Sequence, residues 1–119
     1  MSAKAWITVL AVLACGPVAA DPAEIVRAEA RASGNSYSFS VTLHHGDTGW
    51  EDYADGWRVE MPDGTVLGTR VLYHPHVDEQ PFTRSLSGVV VPAGTEEVNI
   101  RARTLPDGWG EATLPIKLN

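Results

Sequence analysis

Cysteine is nearly absent from this chain. Cys15 is the only one among 119 residues, and it lies in an apolar stretch at the N-terminus. From Asp21 onward there is none, so disulfide stapling and thiol chemistry are both excluded for the body of the chain. Basic residues are also scarce. Nine Lys and Arg face fifteen Asp and Glu, for a net charge of −6. A basic patch able to neutralise phosphates is missing, which argues against a nucleic-acid partner. Beyond the first twenty residues no run is long and apolar enough for a membrane-spanning helix. There is no internal repeat, no G-x-S-x-G elbow, no glycine loop of the phosphate-cradling kind and no H-E-x-x-H. Histidines and carboxylates share some segments, the raw material of an acid/base pair, but no motif arranges them for catalysis. The expectation is a protein that is not an enzyme.

The N-terminus has the pattern of a secretory leader. "MSAK" supplies a short basic region, "AWITVLAVLAC" an apolar core and "GPVAA" a helix breaker followed by small residues. Val18 and Ala20 occupy the positions a signal peptidase reads, so residues 1–20 are expected to be removed between Ala20 and Asp21. "VLAC" also fits a loose lipoprotein signal, in which a lipidated Cys15 would tether the protein to a membrane. Without that lipid no membrane association is expected, and the chain would be periplasmic or secreted. Loss of Lys4 with the leader leaves eight basic against fifteen acidic residues, a net charge of about −7. The remaining 21–119 are enough for one domain with an apolar core.

That domain reads as strands and turns. "SYSFSVTLHH" places Tyr37, Phe39, Val41 and Leu43 on one face and polar residues on the other, the period-two signature of a half-buried strand. "WRVEM", "TVLGTRVLY", "FTRSLSGVV", "EVNIRART" and "EATLPIKL" supply five more. "EIVRAEARA" alternates as well and precedes "SGN", a hairpin-like turn, which makes it the first strand. "MPDG", "LPDG" and "VPAGT" are turns in which Pro presets φ and Gly accepts positive φ. Seven short strands at this spacing resemble immunoglobulin-like and fibronectin type III-like domains, which implies an all-β, seven-stranded antiparallel sandwich. "GWEDYADGW" followed by "HPHVDEQPFTRSL" is similar to small secreted bacterial proteins with no assigned activity.

With seven alternating strands, the loops after the second, fourth and sixth share one pole. These are "HHGDTGWEDYADG", "HPHVDEQP" and "LPDGWGE", so His44, His45, His74, His76, Trp50, Tyr53 and Trp109 are expected together. Loops at one end of a rigid sandwich are the usual place for binding residues. His74 and His76, one residue apart in an extended segment, point their rings the same way. With His44 or His45 they would offer three nitrogens to copper or zinc, and Asp78 or Glu79 would add an oxygen or orient a ring. Trp50, Tyr53 and Trp109 would instead serve a protein or glycan partner. Trp57 is in phase with Val59 and Met61 and belongs to the core. Asp47, Glu51, Asp52 and Asp55 are oxygen ligands of the kind calcium takes, without the spacing of the twelve-residue helical loop.

The leader gives the first testable outcome. Mass spectrometry of the exported protein should show an unmodified chain beginning at Asp21. A lipidated Cys15 at the N-terminus would make it a tethered protein instead.

Overall fold

The computed structural model describes residues 21–118; the leader assigned to residues 1–20, with Cys15, lies outside the described residues. Seven strands run in order: β1 (Glu24–Ser33), β2 (Ser36–His44), β3 (Tyr53–Glu60), β4 (Val66–Val71), β5 (Phe82–Val89), β6 (Glu97–Leu105) and β7 (Gly108–Lys117). They form two sheets, β1-β2-β5 and β4-β3-β6-β7, in which every pairing is antiparallel. The fold is therefore a seven-stranded, two-sheet β-sandwich.

Alternation builds the core. Phe39, Val41 and Leu43 of β2 meet Trp57 and Val59 of β3 and Val98 and Ile100 of β6, each no more than 1 % exposed. Ala54, Leu72, Phe82, Val89, Ala102 and Leu118 close the layer. Burying large apolar side chains from both sheets is the dominant favourable contribution, at about 1.5–3 kcal/mol for each Val-, Leu- or Phe-sized side chain. Leu114 and Ile116 are only partly buried, because β7 is an edge strand with one neighbour.

Two element boundaries differ from the sequence pattern. β3 begins at Tyr53, four residues before Trp57, because β6 continues far enough to pair Leu105 with Tyr53. β7 begins at Gly108, so Trp109 is a strand residue opposite Arg103, outside the loop where the sequence pattern put it. The turn between β6 and β7 is only Pro106 and Asp107, and Gly108, at φ +86°, makes so tight a reversal possible.

The outward faces are polar in different ways. On β2 and β5, hydroxyls pair across the strands: Thr42 with Thr83 at 2.7 Å, Ser40 with Ser85 at 3.4 Å and Ser38 with Ser87 at 3.2 Å. On the other sheet Arg58 and Arg101 stand directly opposite each other, a like-charge pair that would destabilise the ladder. Glu60 resolves it. It is 2 % exposed although it lies on the outer face. Its Oε2 accepts from Arg58 Nε at 2.6 Å and Arg101 Nε at 2.7 Å, and its Oε1 from Arg101 at 3.2 Å. The Arg58 guanidinium also lies over the Trp109 ring, 4.0 Å from its centroid.

Burial alone would push the Glu60 carboxyl up, but the hydrogen bonds and charges of Arg101 and Arg58 outweigh it and hold the group below the usual carboxylate range. Such a group contributes stability above its unfolded pKa, near 4.5, and loses that contribution as pH falls through the lower folded value. Glu60→Gln leaves two cations facing each other and should cost about 3 kcal/mol of unfolding free energy at neutral pH. Urea denaturation at pH 7 and pH 3 should show the wild type and the variant converging in acid.

Candidate functional site

The pole where β2, β4 and β6 end is organised by one side chain. Asp47, in the β2–β3 loop, is completely buried through its carboxylate. Its Oδ1 accepts from His45 Nδ1 at 2.6 Å and from the Ala54 amide at 3.0 Å. Its Oδ2 accepts from the His76 amide in the β4–β5 loop at 2.8 Å. Gln80 adds a second tie: its Oε1 accepts from the His45 amide at 3.0 Å and its Nε2 donates to the His76 carbonyl at 2.9 Å. The two loops are thus fastened by backbone as well as side-chain groups.

His45 is held on both sides. The Asp47 carboxylate can only accept, so Nδ1 carries a proton. Nε2 lies 2.9 Å from the Asp21 carbonyl oxygen, 3.4 Å from Asp21 Oδ2 and 3.7 Å from Asp52 Oδ1. Each of these polar partners of the ring is an acceptor, which suits an imidazolium. Burial alone would push the imidazole pKa down, but the bonds to Asp47 and the Asp21 carbonyl, with the charges of Asp21 and Asp47, outweigh it and raise the value.

Once Nε2 gives up its proton and presents a lone pair, the same arrangement can hold a cation. Asp21, His45 and Asp52 offer one ligand atom each, all within 4.8 Å of one another. The His45 side chain is fully buried while the Asp21 and Asp52 carboxylates are 67 % and 40 % exposed, so the cluster opens to solvent on one side. Asp47 on Nδ1 fixes the ring with Nε2 toward the cluster, the role a carboxylate behind a ligating histidine plays in metal sites. The cluster is able to chelate a metal ion; its chemistry does not single out which.

The other histidines are differently placed. The His74 and His76 rings lie 5.0 Å apart, as the one-residue spacing implies. His76 is stacked on Phe82 at 3.9 Å, and its Nε2 accepts from Arg84 at 3.1 Å. Burial, then the charges of Arg84 and His74, push its pKa down. His74 is exposed, and His44, also exposed, faces Glu24 at 3.9 Å. Among the described residues these three do not join a group of three close metal-binding side chains. Trp50 is 65 % exposed and meets Tyr53 edge-on at 5.8 Å, at the pole where Tyr73, 73 % exposed, also lies. Trp109 sits on the outer sheet face with Arg58 against its ring. Of the acidic residues considered for calcium, Asp47 has both oxygens engaged and Asp55 approaches Arg103 at 3.8 Å.

Sequence reasoning missed Asp21 as a group able to ligate, Asp47 as the group that orients His45 and Gln80 as the tie. His45 and Asp47 share the one-residue spacing of His74 and His76, and that was the signal available for Asp47. Asp21 is twenty-four residues from His45 and carried no local signal.

His45 makes the pole sensitive to pH. A histidine with a raised folded pKa contributes stability that is fully present below its unfolded pKa, about 6.5, and is lost as pH rises through the folded value. His76, with a depressed pKa, acts in the opposite sense and at lower pH. Thermal unfolding between pH 6.5 and 9 should therefore show a loss of stability in the wild type that is reduced in His45→Gln.

No family model matches the chain, and no solved structure matches it. A protein of Halomicrobium mukohataei described as "Putative lipoprotein" is 46 % identical over 85 residues, which are 71 % of this chain and 41 % of that protein. The chain thus spans about two-fifths of the length of this relative.

Proposed function

We propose that the protein is an exported, non-catalytic binding module that uses the loop pole of an immunoglobulin-like or fibronectin type III-like sandwich, with a divalent cation as part of its binding surface. The observation that carries this reading is the triad of Asp21, His45 and Asp52 with Asp47 bonded behind the imidazole. The strand order, three strands against four, is compatible with that fold class. One imidazole and two carboxylates suit zinc or another first-row divalent ion. His74 and His76 are weaker ligands, because Arg84 already donates to His76 Nε2 and would sit beside the cation. Around the site, exposed Trp50 and Tyr73 supply aromatic surface for a protein or glycan partner.

A second reading concerns the anchor. The relative's description as a lipoprotein and Cys15 in "VLAC" support lipidation at that residue, which would hold the pole near a membrane. A cytoplasmic location is disfavoured under either form of processing.

Calorimetry with zinc on the untagged chain tests the cation reading. One ion should bind per chain at micromolar protein. Asp52→Asn should weaken binding about tenfold or more, as loss of a ligand must cost at least what loss of an orienting partner does. His74→Ala/His76→Ala should leave it largely intact. No saturable binding, or a loss confined to the His74/His76 variant, would overturn the assignment.

A further inference from the structure

Asp21 is the residue that cleavage after Ala20 would make the first of the mature chain, and its main chain is already at the site. Its carbonyl oxygen is 2.9 Å from His45 Nε2, its Oδ2 is 3.4 Å from the same atom, and its backbone nitrogen lies 3.4 Å from Asp107 Oδ2 in the β6–β7 turn. Two acceptor groups of one residue therefore converge on the imidazole nitrogen that would ligate the cation, and the nitrogen of that residue is attached to the Cα from which both extend. Within a longer chain that nitrogen is an amide. Its lone pair is delocalised into the carbonyl, and it offers no ligand. Released by cleavage it is an α-amino group that, once its ammonium form gives a proton to the solvent, has a free lone pair able to close a five-membered chelate with the Asp21 carbonyl or a six-membered one with Oδ2.

We infer that removal of the leader completes the site, the α-amine of Asp21 joining His45 Nε2, Asp21 Oδ2 and Asp52 Oδ1 as a fourth ligand. This rests on the cation-binding reading and on cleavage between Ala20 and Asp21. Hydrolysis of the Ala20–Asp21 bond adds one water across it, the carboxyl leaving with Ala20 and the amine remaining on Asp21. Tight cation binding is then a property of the processed chain, and the precursor acquires it only after export. Asp107, in reach of the same nitrogen, holds it at the pole before and after the ion arrives.

The experiment compares residues 21–119, released from a fusion without an extra residue, with residues 20–119, which carry Ala20 in front. Zinc binding to each is measured by calorimetry, after thermal unfolding in chelator shows that both fold alike. The chain beginning at Asp21 should bind about tenfold tighter or more, the loss expected when one ligand of a small site is removed. Substituting cobalt(II) for zinc should give visible spectra that differ between the two chains, since an added nitrogen changes the ligand field. Equal affinities and equal spectra would remove the amine from the ligand set while leaving the cation reading standing. Failure of both chains to bind would remove the cation reading itself. An exported protein whose mass begins at Cys15 would overturn the maturation step.

Discussion

A buried carboxylate with no exposed oxygen must find donors for both oxygens or abandon its charge, and Asp47 finds three. One comes from the ring of His45, one from the start of β3 at Ala54, and one from the β4–β5 loop at His76. These groups belong to three separate stretches of chain. Their geometry cannot relax independently, since moving any loop strands part of a buried charge. The remaining features of the pole follow. His45 is fixed in ring orientation, Nε2 faces Asp21 and Asp52, and the N-terminal segment is drawn against the loops before β1 starts.

Glu60 handles charge in a related way on the outer face of the four-stranded sheet. There the carboxylate neutralises two guanidinium groups that antiparallel register sets opposite one another. Arg101 extends the network by donating to the Gly110 and Glu111 carbonyls of β7, so an edge strand is fastened by side-chain bonds in addition to its ladder. Arg58 covers Trp109. That packing leaves Trp109 as part of the sheet surface, whereas Trp50 remains free at the pole.

Much of the fold was legible because alternation is a local property. Phe39, Val41 and Leu43, or Val98 and Ile100, declare their face within a few residues, and the seven strands appear in the expected order. The clustering of loops at one pole followed from strand direction alone. The donor set was harder to read. His44 and His45 are adjacent, yet one faces solvent and the other is buried, a difference set by which of them continues the strand phase into the loop. Asp21 meets His45 through tertiary packing, and no spacing rule connects positions so far apart. Tyr53 and Trp109 looked like loop residues because pairing with β6 extends β3 and β7 beyond their hydrophobic patterns. Glu60 carried no sign of burial, since the partner that neutralises it together with Arg58 is Arg101, on another strand.

The hydroxyl pairs between β2 and β5 have a consequence for how the sheet resists misassembly. β5 is an edge strand, and an edge exposes unpaired backbone groups to other chains. A slip of one residue would turn Phe82 and Leu86 outward and be rejected by the core. A slip of two residues preserves which side chains face inward, so hydrophobic alternation cannot detect it. Three aligned pairs can: such a shift leaves one hydroxyl at each end without its counterpart and sets Thr against Ser in one of the two pairs that remain. The serines and threonines on this face thus act as a register key. They give the native pairing a preference over its nearest in-phase competitor while keeping the surface free of the apolar residues that invite edge-to-edge growth.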